Sequence, residues 1–288
     1  MLQDDTNFLL EKIGWRGRPA IKKSVKPTTP PSRAERLKND VYGMQFFAEL
    51  AQKHPQLDLY SPAVYESTDS YYIREYIPDQ PVVSEDTGAQ DASQNLKQLA
   101  KLLADIDRLE PFGQVRFVGS SNYKNLQPSI ARWADENLQD KLINPDEAEG
   151  FKTISQGLDA YMQPRIAHGD MSPYKHAYLR QDNKIALIDC ENFTPQAARY
   201  FDVAWSYTRM YSFAVSTDIP KQFLADFLAQ AEQPPHQTEQ LMAALIQRTL
   251  GMQKDAGADR HSKGIDYRPR AKELMALVLQ NKLGLLHS

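Results

Sequence analysis

Two aspartates in the stretch Ala167 to Glu191, AHGDMSPYKHAYLRQDNKIALIDCE, stand in settings that suit the movement of a phosphoryl group. His168-Gly169-Asp170 opens a polar turn, and the short apolar run from Ile185 to Ile188 delivers Asp189 at its end. Transfer of a γ-phosphoryl group needs an in-line acceptor and neutralisation of phosphate charge. The least set of groups is therefore one carboxylate that orients a hydroxyl and another that holds magnesium, a cation that prefers hard oxygen ligands. Glu191, one residue beyond Cys190, adds a further carboxylate nearby.

The elements that must position these groups change character along the chain. Residues 7–13 and 18–26 read as two strands of a hairpin around Gly14 and Gly17, with apolar and charged residues partly alternating. Lys26 to Ser32 is rich in breakers, and Ser32 with Glu35 three residues on predicts a capped helix running to about Lys53. Ala63 to Tyr65 and Ser70 to Ile77 supply two more strands, closed by Pro78. The polar segment 79–92 then predicts a boundary between a small mixed lobe, 1–80, and a larger one, 81–288. Beyond it Leu96, Leu99, Leu102, Leu103, Ile106 and Leu109 share one helical face. Further helices are expected at about 127–142, 146–163, 219–232, 236–253 and 268–284, so 170–189 reads as an island of β structure in a helical half. The aromatic runs Tyr71-Tyr72 and Trp205 to Tyr211 fall at strand and helix spacing and are expected in the core. Asp259 to Gly264 reads as a solvated charged loop.

Composition removes several function classes. A chain of 288 residues with 41% hydrophobic content can bury a substantial core. Its 34 basic and 37 acidic side chains leave a formal charge of -3, which gives no general field for nucleic acid. Cys190 is the single cysteine, so neither an intrachain disulfide nor a cysteine metal cluster is expected. The N-terminal residues are acidic where a signal peptide would be basic, and no segment approaches the length of a membrane span. A cytoplasmic protein with no nucleic-acid or membrane partner is the expectation.

Three motifs, HGDMSP at 168–173, LIDCE at 187–191 and RYFDVAWSY at 199–207, occur in the order seen in the aminoglycoside phosphotransferase and choline kinase family. The resemblance implies an α+β, two-lobed protein-kinase-like fold: a small β-sheet N-lobe with one helix and a larger, mainly helical C-lobe. It implies Mg2+ and ATP or GTP as cofactors, and a nucleotide and a small hydroxylated molecule as binding partners. By that resemblance Asp170 is the catalytic base, Asp189 the metal ligand, and His168 and Asp202 supports of the catalytic loop. Pro19-Ala20-Ile21-Lys22 resembles the strand whose lysine grips the phosphates. Alternation would put Ala20 and Lys22 on one face and turn Lys23 away. Asp40 fits best as the acidic partner of Lys22, with Glu35 as the alternative, and Arg74 to Ile77 resembles the hinge where backbone groups near Glu75 and Ile77 contact the base.

Two departures from the family pattern bear on activity. The second-metal position, usually asparagine, holds Lys175 by direct count, or His176 if the turn carries one extra residue. A protonated lysine cannot ligate magnesium, and histidine is a softer ligand than magnesium favours. Gly14-Trp15-Arg16-Gly17 is a tight turn in place of a glycine-rich phosphate cradle. These departures define the alternative function: a pseudokinase-type binding or scaffold protein with impaired phosphoryl transfer.

Overall fold

The computed structural model describes residues 7–83, 89–109, 115–118, 126–213, 217–257 and 268–280. The chain divides into two compact units, the first formed by Met1–Leu102, Pro111–Ser120 and Ala167–Pro195 and the second by Leu103–Glu110, Ser121–Ile166 and Gln196–Ser288. The fold is α+β and protein-kinase-like, with a small antiparallel sheet and one long helix near the start of the chain. The units are not contiguous in sequence, so the division differs from a single boundary near residue 80.

In the first unit β1 (Phe8–Trp15) and β2 (Arg18–Val25) form the expected hairpin. Trp15 pairs with Arg18 across a two-residue turn, and Arg16 and Gly17 both adopt positive φ, the backbone that matches strand twist in short hairpins. Helix α1 (Pro31–Ala34) begins with a proline in its first turn and meets α2 (Arg36–Lys53) at Glu35. Ser32 therefore lies inside the first turn and does not cap it, because the fixed φ of Pro31 already starts the helix. Next come β3 (Leu59–Tyr60), β4 (Val64–Ser67), β5 (Tyr71–Glu75) and β6 (Gln80–Pro81). The first sheet runs β1-β2-β5-β4, and α2 buries Leu37, Val41, Met44, Phe47 and Leu50.

Helix α3 (Ala89–Arg108) follows, then α4 (Leu126–Gln139) and α5 (Pro145–Ser155). The predicted helix over 146–163 ends early: Gly157, at φ 76°, breaks it before a 3₁₀ turn at Leu158–Tyr161. A capping box between Asn144 and Glu147 starts α5. The chain continues through β7 (Pro164–Ala167), β8 (Ala177–Leu179), β9 (Ile185–Leu187) and β10 (Thr194–Ala198) to α6 (Phe201–Phe213), α7 (Asp218–Gln230), α8 (Gln237–Gly257) and α9 (Arg268–Leu279). The β8–β9 hairpin is no island. It forms a four-stranded sheet, β3-β9-β8-β6, with strands from residues 59–60 and 80–81. That pairing holds the motif segment 167–195 in the first unit.

The second unit is helical, with α4 against α5 and α8, and α8 against α6 and α9. Phe151, Phe201, Phe223, Phe227 and Leu250 fill its core, and Trp205, Tyr207 and Tyr211 are buried as expected for helix-spaced aromatics. A buried bidentate pair between Arg199 and Asp107, with bonds of 2.9 and 2.7 Å, ties the start of α6 to the end of α3 within this unit. No helix among the described residues is long and apolar enough to cross a membrane. The Asp259–Gly264 loop lies outside the described residues.

Candidate active site

The site in the first unit is organised by α2. Arg36, Asn39, Asp40 and Gly43 recur at three- and four-residue spacing, so they fall on one face of the helix. That face meets residues 189–193. Asn39 donates its amide to the carbonyls of Glu191 at 2.9 Å and Phe193 at 2.7 Å, and Arg36 donates to Asn192 Oδ1 at 3.1 Å. Gly43 makes the approach possible: a Cβ there would lie 2.4 Å from Cys190 Cβ. Sequence reasoning named Asp40 and missed Arg36, Asn39 and Gly43. Their signal was a helix face with polar residues and a glycine where an apolar stripe would be expected.

Asp40 is fully buried and gathers three donors. Its Oδ2 accepts from Lys23 Nζ at 2.9 Å and the Tyr72 hydroxyl at 2.7 Å, and its Oδ1 accepts from the Cys190 backbone N–H at 2.6 Å. The expected acidic partner is thus in place, but the lysine is Lys23, not Lys22. Along β2, Ile21 and Lys23 face α2 with Tyr72, while Lys22 lies on the opposite face with Nζ 4.8 Å from the Tyr71 ring. Alternation alone could not choose between them, because β2 is an inner strand with both Ala20 and Ile21 buried.

Lys23 also meets Asp189 Oδ1 in a short contact, with Glu191 at 3.7 Å and the Phe8 ring 4.7 Å from Nζ. Burial would lower the Lys23 ammonium, but Asp189 and Asp40 together hold it well above the ordinary lysine value. Asp189 is the converse: burial pushes its carboxyl up, and Lys23 first, then His176, bring it well below the ordinary range. Its backbone is left-handed at φ 62°, a conformation uncommon outside glycine and kept where surrounding contacts fix it.

The two histidines divide into a neutral brace and a cation. His168 is buried, with Nε2 on the Ile188 carbonyl at 2.8 Å and Nδ1 facing the Asp170 N–H at 3.3 Å. A carbonyl needs a donor and an N–H needs an acceptor, so His168 is the neutral Nε2–H tautomer. Burial, and next the charge of His176, lowers its pKa, in agreement. His176 instead faces acceptors at both nitrogens: the Asp170 carbonyl at 2.7 Å from Nδ1 and Asp189 Oδ2 at 3.1 Å from Nε2. It is therefore protonated at both. Burial alone would lower its pKa, but Asp170 and Asp189 outweigh this and raise it well above the ordinary value. The rings stack 6.0 Å apart.

Asp170 follows Gly169, whose φ of 85° and closeness to the Asn192 carbonyl leave no room for a Cβ. The turn closes through Lys175 and His176 N–H bonds to the Ser172 carbonyl, and this leaves Lys175 exposed while His176 enters the site. Among the described residues no group of three or more His, Cys, Asp or Glu side chains is arranged to hold a metal ion. Asp189 offers hard carboxylate oxygens of the kind magnesium prefers, with Lys23 at Oδ1 and His176 at Oδ2. His176, with both nitrogens donating, does not fit as a ligand.

The remaining expected residues are placed as follows. Glu75 uses its backbone N–H on the Ala63 carbonyl and its side chain on the Tyr60 hydroxyl. Ile77 packs with Ala186 and Ile188. Glu35 lies at the α1–α2 junction, and Asp202 is in the first turn of α6, in the second unit.

The sequence model of the phosphotransferase enzyme family, APH, matches residues 24–245. No curated protein matches at a significant level. Among solved structures, a thermostable mutant of aminoglycoside phosphotransferase APH(4)-Ia has a TM-score of 0.63 at 12% identity, over 97% of this chain and 93% of that one. Plasmodium vivax ethanolamine kinase has a TM-score of 0.56 at 13% identity, over 96% and 83%. Macrolide 2'-phosphotransferase MphH from Brachybacterium faecium has a TM-score of 0.53 at 18% identity, over 96% and 93%. At these identities the likeness carries the fold.

Proposed function

Because the chain belongs to the phosphotransferase enzyme family, we propose that it transfers the γ-phosphoryl group of ATP or GTP to a hydroxyl of a small molecule. The observation that carries this reading is the convergence of Lys23, Asp40, Asp189, His176 and Asp170 in one hydrogen-bonded cluster. Asp170 accepts the hydroxyl proton as the oxygen attacks γ-phosphorus, a new P–O bond forms, the bond to the bridging oxygen breaks, and the nucleoside diphosphate leaves. Lys23 is the phosphate-facing cation, held by Asp40 from α2. Asp189 would hold Mg2+, which when bound offsets charge on the β- and γ-phosphates. His176 links the Asp170 carbonyl to Asp189 and so sets the position of one carboxylate relative to the other.

The related structures carry the names of ethanolamine, aminoglycoside and macrolide phosphotransferases, all acting on small molecules, which supports a small hydroxylated acceptor here. The pseudokinase alternative rests on the second-metal position and on the tight Gly14–Gly17 turn; Lys175 is exposed and stands clear of the site, and the family membership favours the phosphotransferase reading over it.

The test is a melting experiment with ATP or GTP, each with and without Mg2+. A bound nucleotide at about 100 times its Kd adds about 2.7 kcal/mol of stability and raises the midpoint. The shift should depend on Mg2+, and Asp189→Ala should remove the metal-dependent part. No shift at millimolar nucleotide with Mg2+ would overturn the reading.

A further inference from the structure

Asp189 presents its carboxylate from a left-handed backbone, at φ 62°, where an aspartate pays a conformational cost unless its surroundings fix it. The contacts that fix it come from α2. Cys190, next in the chain, gives its N–H to Asp40, and the Phe193 N–H closes a turn on the Cys190 carbonyl at 2.9 Å. Asn39 then takes the Glu191 and Phe193 carbonyls, and Arg36 takes the Asn192 side chain. The turn that carries Asp189 is thus templated by a helix face more than 130 residues away in sequence, as the separations of 150, 152 and 154 residues across these bonds show.

Within that face Asn39 has the most exacting place. It is buried, and its Oδ1 accepts the Val118 N–H at 2.9 Å while its amide donates to the two carbonyls. Two carbonyls on one side need donors and an N–H on the other needs an acceptor, so only one orientation of the amide satisfies all three. Asparagine is a poor helix former, so α2 itself gains nothing from it. With both amide hydrogens engaged and no charge to offer, Asn39 acts on a ligand only through the backbone it holds.

We propose that Asn39 is a positioning residue for metal binding: by clamping residues 191–193 it holds the left-handed turn that aims the Asp189 carboxylate, and so sets how much a divalent cation adds to nucleotide affinity. This rests on the reading of Asp189 as the metal-binding carboxylate. Without the clamp the turn relaxes toward commoner backbone conformations, and the metal must restore the left-handed one when it binds. The apparent affinity then falls by the fraction of molecules that still hold the competent turn. For a non-glycine residue in this region that fraction is about one in five to one in thirty.

The experiment is calorimetric titration of the full chain with ATP and with GTP, each in Mg2+ and in EDTA, for the wild type, Asn39→Ala, Arg36→Met and Leu50→Ala. The quantity read is the ratio of nucleotide affinity with metal to that without. Asn39→Ala should lower this ratio about five- to thirtyfold and leave the metal-free affinity unchanged. Arg36→Met cuts only the arm to Asn192, at a half-buried position that costs little stability, and should lower the ratio by less in the same direction. Leu50→Ala empties core volume under the same helix and should reduce stability without moving the ratio. A wild-type ratio in folded Asn39→Ala would overturn the proposal, as would a wild-type ratio in Arg36→Met if Asn39→Ala does not fold. An equal fall in Leu50→Ala would overturn it too, because general loosening of α2 would then be the cause. A wild type that binds nucleotide equally well with and without Mg2+ would overturn the reading of Asp189 instead.

Discussion

Replacing Lys23 should cost far more than replacing its neighbour Lys22. Lys23 is 2% exposed, and Lys23→Met leaves the fully buried Asp40 carboxylate with only the Tyr72 hydroxyl and the Cys190 N–H as donors. Breaking a buried pair by removing one partner costs about 3–5 kcal/mol. Each kcal/mol moves the midpoint of a domain this large by about 2–4 °C, so the loss should be roughly 6–20 °C. Lys22→Met gives up only a cation–ring contact at the surface, worth about 0.5–1 kcal/mol. Adding Asp40→Asn to Lys23→Met removes the stranded charge and should restore part of the loss, a non-additivity that a double-mutant cycle measures directly. Thermal and denaturant unfolding of the wild type, Lys22→Met, Lys23→Met, Asp40→Asn and the Lys23→Met/Asp40→Asn double variant is the assay. Equal losses for Lys22→Met and Lys23→Met, or full additivity with Asp40→Asn, would refute the assignment of the buried cation.

Other outcomes follow from the same contacts. Gly43→Ala should destabilise by about 1–3 kcal/mol despite the better helix propensity of alanine, because its Cβ would lie 2.4 Å from Cys190 Cβ; a more stable variant in urea unfolding would contradict the close approach. His176 should make stability pH-dependent. Its pKa is raised in the fold by Asp170 and Asp189 against the opposing effect of burial, so the folded protein keeps a proton that the unfolded chain releases near pH 6.5. The contribution is complete below about pH 6.5 and is lost as pH rises through the folded value. Denaturant midpoints from pH 6.5 to 9 should fall in the wild type and stay flatter in His176→Asn; parallel slopes would show that His176 is not the group responsible.

Much of the architecture was legible because it rests on local patterns. The Gly17 turn, the strand-rich start and the leucine face of α3 are all signalled within a few residues. The motif segment was legible as chemistry but not as topology. Its hairpin pairs with strands only two residues long, at 59–60 and 80–81, too short to announce a sheet. The choice between Lys22 and Lys23 turned on which face of an inner strand meets α2, and composition is nearly symmetric there. The choice between Lys175 and His176 turned on one residue of turn length. Asn39 and Arg36 went unnoticed because polar residues on a helix ordinarily mark the solvent face, whereas here they bind the backbone and side chain of residues 191–193.

The central claim is that Asp170 takes a proton from an acceptor hydroxyl during phosphoryl transfer. Phosphorus NMR of the wild type and Asp170→Asn, each with Mg2+, nucleotide and a set of small hydroxylated compounds that includes ethanolamine, an aminoglycoside and a macrolide, tests it together with the nucleotide Kd of both proteins. The wild type should form a phosphomonoester, and Asp170→Asn should lose about 10²–10⁴-fold in rate while its nucleotide Kd changes by about twofold or less. A variant that turns over at the wild-type rate, or one whose activity falls only as far as its nucleotide binding does, would contradict the claim.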